Sequence, residues 1–142
     1  QAIPANLPVG LTHGDLFYDN VLFEDGKLKA ILDFESACQS YLVFDLGMAV
    51  VGLCADDTSI LLEKARAFVD GYQTVRLLED TEKESLQMLV ELSALLTSAW
   101  RYWKYNIDVP NAEKANKHLQ MVNFANETNA IPQSVWRQAI FS

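Results

Sequence analysis

The sequence is poor in cysteine, in basic residues and in long uninterrupted apolar runs, and each shortage closes off a class of protein. Cys38 and Cys54 are the only cysteines, with no CxxC pair and no Cys/His metal spacing, which argues against a disulfide-stapled scaffold or a zinc module. Both lie among apolar neighbours and are expected as reduced, buried thiols. There are 11 Lys+Arg against 19 Asp+Glu, a formal net charge of -8. With no basic stripe to follow a phosphate backbone, nucleic acid is not an expected partner. A nucleotide carried with a metal ion stays compatible, because the ion offsets local negative charge. The longest apolar stretches, YLVFDLGMAVVGLCA and LQMLVELSALLTSAW, each contain a carboxylate. Neither reaches the roughly 18 to 20 uncharged residues that span a bilayer, so no membrane association is expected and the expected location is the cytoplasm. The opening QAIPANLPVG has no initiator methionine, basic stretch or apolar leader and reads as an interior cut. Internal repeats, low-complexity tracts and Gly/Ser linkers are missing too. What remains is one domain: 142 residues, 50% hydrophobic, enough for a single core.

The first third of the chain reads as strands and loops, the rest as helices, an α+β arrangement. Gly10 to Thr12 is a short strand; Val21 to Glu24 and Leu28 to Leu32 are two more, joined by Asp25-Gly26. Asp-Gly is the strongest short hairpin signal, because its turn needs positive φ values that these residues tolerate. Antiparallel pairing then brings HGDLFYDN, before the hairpin, alongside DFESA after it. From Tyr41 the period changes. Leu46, Val50 and Leu53 share a face of a helix from about Phe44 to Cys54; Leu61, Ala65, Phe68, Val69 and Tyr72 share a face of the next, with Asp57 or Thr58 as its N-cap. Thr81 and Glu84 have capping-box spacing for a long helix to about Tyr105, apolar on most sides through Leu86, Leu89, Val90, Leu92, Leu95, Leu96, Trp100 and Trp103, and therefore central. Asn111 to Glu127 is a more polar helix with Ala115, Leu119, Val122 and Phe124 inward and His118 at the solvated surface, and Pro132 starts a short last helix.

The chemistry concentrates in HGDLFYDN. Asp15 and Asn20 stand at the entrance of the hairpin and Asp33 with Glu35 at its exit, so several oxygen ligands can converge. Carboxylate and amide oxygens suit Mg2+, which keeps several waters and is completed by substrate phosphates; the same residue types also serve simply as turns and caps. His13, Asp15 and Asn20 form the pattern HxDxxxxN, and Asp33 follows thirteen residues later. That order is similar to the kinase arrangement of a catalytic Asp, a metal-holding Asn and, after a hairpin, a metal-holding Asp. Asp15 would orient and deprotonate an acceptor hydroxyl, while Asn20 and Asp33 hold Mg2+. His13 either touches substrate or braces the loop through backbone and a carboxylate, and bracing is favoured. Asp45, alone in LVFDLGMAV, is the plausible partner, since an unpaired carboxylate there costs several kcal/mol.

The run LPVGLTHGDLFYDNVLFEDGKLKAILDFESACQSYLVFDLGMAV resembles the C-terminal lobe of the aminoglycoside phosphotransferase and choline kinase superfamily, through HGD, the following Asn, DFE and FDL. Within it, HGDLFYDNVLF, DFESAC and RYWKYN resemble homoserine kinases. The resemblance implies a protein-kinase-like C-terminal lobe, mainly helical with a small catalytic hairpin, and ATP-dependent phosphorylation of a small-molecule hydroxyl, in that family the side-chain oxygen of L-homoserine. It carries over Asp15 as base, Asn20 and Asp33 as ligands of Mg2+ and nucleotide, and His13 and Asp45 as supports. Glu35 is either near a second metal or the acceptor, or a structural cap. Tyr41, Arg101 and Trp103 are candidate acceptor contacts from the helical lobe, with packing as the competing role of each. No glycine-rich phosphate loop, N-lobe lysine or partner glutamate precedes residue 13, so an N-terminal nucleotide-binding lobe is expected outside this segment, and the segment alone is expected to be inactive. Its bare cleft surface invites homodimer formation. Competing expectations are another acceptor (choline, ethanolamine, methylthioribose, fructosamine or an aminoglycoside) and a non-catalytic pseudokinase or interaction module.

Overall fold

Positive φ angles at Asp25 (51°) and Gly26 (70°) close the turn that the Asp-Gly pair predicts. In the computed structural model, which describes residues 2–57 and 59–142, the first four strands are β1 (Val9–Thr12), β2 (Val21–Glu24), β3 (Lys27–Ile31) and β4 (Cys38–Tyr41). β2 and β3 form the expected antiparallel hairpin, from Val21 opposite Ile31 to Glu24 opposite Lys27, with an irregularity between Leu22 and Phe23. Strand β4 has no counterpart in the sequence reading, because its partner is β1, far away in the chain: Val9 faces Tyr41 and Thr12 faces Cys38. The two ladders thus bracket the segments 13–20 and 32–37 at both ends and force them to run side by side. Pairing on β4 also leaves Cys38 exposed, against the expectation of burial, whereas Cys54 is buried. Desolvation pushes the Cys54 thiol up to about 11.

The rest is helical, and the α+β class read from the sequence holds. The remaining elements are α1 (Leu42–Leu53), the short pair β5 (Ala55–Asp56) and β6 (Ser59–Ile60), α2 (Leu62–Gln73), α3 (Asp80–Trp103), α4 (His118–Ala130) and α5 (Gln133–Phe141). α3 packs against both α1 and α4, and α2 against α5. Leu86, Leu89, Val90 and Ala94 of α3 are fully buried, together with Val43 and Val50 of α1, Phe124 of α4, and Trp136 and Ile140 of α5. The central character expected of α3 belongs to this half of it only. Further on, Leu95, Leu96, Trp100 and Trp103 are all more than 40% exposed, Leu95, Leu96 and Trp100 facing open cavities, while Ser98 stays buried against His118 of α4.

Helix ends depart most from expectation. Residues 55–60 are used by the β5–β6 pair, so α2 starts at Leu62 with Leu61 before it; Asp57 has a positive φ of 41° and does not cap, and Thr58 lies outside the described residues. α3 begins earlier than Thr81: its capping box joins Glu79 and Glu82, the Glu82 carboxylate accepting the Glu79 N–H at 2.9 Å. Glu82 is drawn there by Arg76, whose guanidinium donates to both of its oxygens. α3 passes at Trp103 into a π-helical turn, Lys104–Asp108. Residues 112–117 form turns, so α4 starts at His118 rather than Asn111. This rotates Met121, Phe124, Ala125 and Thr128 inward and Leu119 outward. His118 is half-buried rather than solvated: its Nδ1 lies 2.9 Å from the Ala115 carbonyl oxygen and its ring meets Tyr102 edge-on. Among the described residues no helix is long and apolar enough to cross a membrane.

Candidate active site

The segment after β1 is held from below by α1. Both oxygens of Asp45, in the first turn of α1, accept backbone N–H groups, from Gly14 (Oδ1, 2.8 Å) and from His13 (Oδ2, 2.8 Å). The His13 ring, 6% exposed, does not reach Asp45; it links the two side-by-side segments instead. Its Nδ1 accepts the Asp15 N–H at 3.2 Å, so the proton sits on Nε2, which donates to the Leu32 carbonyl at 2.8 Å. Phe34 packs on the same ring at a centroid distance of 4.7 Å. His13 therefore braces the loop.

Asp45→Asn tests this support. An amide keeps one acceptor oxygen and turns an NH2 toward one of the two N–H donors, leaving that donor unpaired. The expected loss is about 2 kcal/mol, read as a lower denaturant midpoint at unchanged m-value. An unmoved midpoint would contradict the bracing role.

Asn20 lies just before β2. Its Nδ2 donates to the Asp15 carbonyl oxygen (2.8 Å) and to Asp15 Oδ2 (3.1 Å). Both partners only accept, so the nitrogen must face them, and Asn20 Oδ1 is the atom left for another ligand. Across the hairpin mouth the Leu32 N–H donates to the Asn20 carbonyl at 2.9 Å, which sets Asp33 next to Asn20. Asp33 is exposed and adopts the left-handed conformation, φ 59° and ψ 68°. Burial pushes the Asp15 carboxyl up from its ordinary value, Asn20 pulls it back, and the like charges of Asp19 and Asp33 raise it further. An amide oxygen, a free carboxylate and mutual repulsion among carboxylates are what a hard divalent cation relieves. Among the described residues no three His, Cys, Asp or Glu side chains converge as a self-sufficient metal cage. The donors present fit a cation completed by water and phosphate. Glu35 lines the cavity beside Asp15.

That cavity, about 470 Å³, has Asp15 and Asp19 on one wall, Phe44 and Met48 of α1 below, and Thr97, Trp100 and Arg101 of α3 with Lys117 opposite. Of the three acceptor-contact candidates only Arg101 lines it. Tyr41 packs against the core beside α1, and Trp103 turns away, toward Lys104. A larger cavity, about 650 Å³, lies between Gln87, Glu91 and Gln133 and includes none of the loop residues. Lys117 carried no signal in the sequence. Gly52 did carry one, a glycine inside the apolar run LVFDLGMAVVGL, which marks close backbone approach. A Cβ there would run into the Leu16 carbonyl oxygen and sit 2.8 Å from Phe17 Cα. Both obstacles are backbone, and Phe17 N–H donates to the Asp15 carbonyl at 3.0 Å. Gly52→Ala should therefore displace Asp15, and in the full-length protein any turnover that depends on this carboxylate should fall about tenfold or more. Equal turnover by the two full-length proteins would show that the loop yields without moving its carboxylate.

An α+β chain with a half-buried loop carboxylate over a cavity, and paired oxygen donors at the mouth of a hairpin, has the build of a kinase-like phosphotransferase. Residues 1–78 match the phosphotransferase enzyme family, and the chain belongs to it. It is 41% identical over 93 residues to a homoserine kinase of Bradyrhizobium diazoefficiens, covering 65% of this chain and 28% of that protein. It is 41% identical over 96 residues to a homoserine kinase of Rhodopseudomonas palustris, 67% of this chain and 29% of that protein. To a homoserine kinase of a Chelativorans species it is 37% identical over 115 residues, 80% of this chain and 35% of that protein. The chain thus spans about a third or less of these relatives.

Proposed function

We propose that the chain is the C-terminal lobe of an ATP- and Mg2+-dependent small-molecule kinase that phosphorylates L-homoserine to O-phospho-L-homoserine, and that a nucleotide-binding N-terminal lobe of the same cytoplasmic protein lies outside it. The observation that carries this reading is Asp15: a carboxylate half-buried at a cavity large enough for a small acceptor, fixed by Asn20, with Asp33 beside it. Likeness to proteins named homoserine kinase supports the choice of acceptor. Asp15 accepts the proton of the acceptor hydroxyl, and its raised pKa makes it a stronger base than an ordinary aspartate. Asn20 Nδ2 aims that carboxylate, and His13 and Asp45 keep the loop from relaxing. Asn20 Oδ1 and Asp33 are the groups that would hold Mg2+, which when bound offsets charge on the transferred phosphoryl oxygens. Arg101 in the cavity wall disfavours a quaternary ammonium acceptor such as choline.

The test is ATP consumption by the full-length protein across hydroxylated amines and amino acids. Homoserine should be the preferred acceptor; preference for another would replace it, and no turnover with any would favour a pseudokinase. The 142-residue chain alone should turn over ATP and homoserine negligibly, and measurable turnover by it would overturn the division into lobes. Leu11, Phe23 and Phe34 are each more than 50% exposed, an apolar surface suited to the absent lobe. In isolation the segment should self-associate through it, and a monodisperse monomer in light scattering would count against that.

A further inference from the structure

The cavity over Asp15 is electrically two-sided. Asp19 and Glu35 stand on its loop side, and among the described residues the only cations on its walls are Arg101 and Lys117, on the helical side. In a chain of net charge -8, cations normally find carboxylates, yet among the described residues Arg101 forms no ion pair. Its Nη1 donates instead to a neutral group, Gln120 Oε1, at 2.9 Å. Gln120 is itself anchored, its Nε2 donating to the Asp57 carbonyl oxygen at 2.8 Å. The guanidinium is half-buried, and burial pulls its pKa down, opposed by Tyr105, Tyr18 and Asp19, none of which hydrogen-bonds to it. A charge that is desolvated, aimed by an amide and given no direct counter-ion is an unfavourable arrangement unless a ligand completes it. Lys117, the second cation, is exposed and likewise forms no ion pair among the described residues. It flanks the start of α4, whose first turn holds no acidic residue, where a lysine adds to the positive end of the helix rather than offsetting it.

We propose that Arg101, aligned by Gln120, and Lys117 form a carboxylate-binding pole of the acceptor pocket, so that the enzyme selects hydroxylated acceptors that carry a free carboxylate. This deepens the homoserine reading and rests on it for the identity of the acceptor. Arg101 is suited to the role by its planar fork, which grips a carboxylate through two parallel hydrogen bonds, while Lys117 adds a mobile point charge. Asp19 and Glu35, across the cavity, face the side on which an α-ammonium would lie. Gln120 is a positioning residue, acting through Arg101.

The experiment measures kcat/KM of the full-length protein for L-homoserine and for 3-amino-1-propanol, the same alcohol without its carboxylate. The wild type should prefer homoserine. In Arg101→Gln and Lys117→Ala that preference should shrink, by roughly ten- to a hundredfold for Arg101, through KM more than kcat, with partial recovery in Arg101→Lys. Gln120→Glu places an isosteric carboxylate on Arg101 and gives up only the exposed hydrogen bond to the Asp57 carbonyl, so its denaturation midpoint, measured alongside, should stay near that of the wild type. The new carboxylate should compete with the substrate carboxylate and raise KM for homoserine while leaving KM for 3-amino-1-propanol much less changed. Equal losses on both acceptors, or a Gln120→Glu protein with unaltered homoserine KM, would overturn the carboxylate pole while leaving the homoserine assignment standing. Should the wild type prefer a different acceptor, the homoserine assignment fails. The pole then survives only if that acceptor bears a carboxylate and Arg101→Gln weakens its binding; a carboxylate-free acceptor overturns both.

Discussion

Replacing Asp15 by Asn in the full-length protein is expected to lower turnover about a thousandfold while ATP binding changes by no more than about twofold. The substitution is nearly isosteric, and the Asn20 amide still finds the carbonyl oxygen of residue 15 at its present 2.8 Å distance, so the loop keeps its course. What disappears is the atom that can take a proton. The sign of the pH effect follows from the same group. A base works only when ionised, so the wild-type rate should fall as pH drops through the Asp15 pKa, which burial holds above the ordinary carboxylate value. In the variant, that acidic limb should vanish. Comparing pH profiles of kcat checks both statements, and an Asp15→Asn enzyme with normal turnover and an unchanged acidic limb would remove Asp15 from the mechanism. Asp33→Asn is expected to act differently, weakening metal-dependent nucleotide binding, because it removes a charge at the hairpin mouth rather than a base over the cavity.

The largest effect on stability is expected from Arg76→Met. The Glu82 carboxylate is fully buried. Arg76 donates to both of its oxygens, and the Arg76 Nε donates to Tyr72 Oη at 2.8 Å. The guanidinium also lies 5.3 Å from the centre of the Tyr72 ring. Without the arginine, Glu82 retains one hydrogen bond, from the Glu79 N–H, and an uncompensated charge in the core. Breaking such a pair from one side costs about 3 to 5 kcal/mol, whereas replacing both partners by apolar groups is far milder. Arg76→Met should therefore lower the denaturation midpoint strongly, and the double variant Arg76→Met/Glu82→Leu should recover much of the loss. A small effect of the single change would mean that water reaches Glu82 and that the staple between α2 and α3 is weaker than its geometry suggests.

How much was legible depended on how far apart the cooperating residues are in the chain. The β2–β3 hairpin could be read because its turn is decided by two neighbours, Asp25 and Gly26, whose backbone preferences are local. The loop carrying His13, Asp15 and Asn20 could be found because one short segment holds all three. Strand β4 could not, since its register is set by β1 across the intervening hairpin. The caps failed for a related reason. Thr81 and Glu84 have the right spacing, but the helix start was decided by Arg76 reaching Glu82, a contact across the turn from α2. Arg101 and Trp103 looked alike in RYWKYN, and only the crossing of α3 over α1 separates the one lining the cavity from the one turned away from it.

The sequence by itself determined the α+β class, the hairpin, and the set of oxygen-bearing side chains around it, because each depends on backbone preferences or motif spacing over a few residues. Tertiary structure alone decided which of those side chains share a space. Two ladders hold the loops side by side, Gly52 lets the Asp15 loop lie on the backbone of α1, and Arg101 and Lys117 meet over one cavity although the π-helical turn and the turns of 112–117 separate them in the chain. Such meetings are set by how helices cross and pack, and no residue's near neighbours in sequence carry that information.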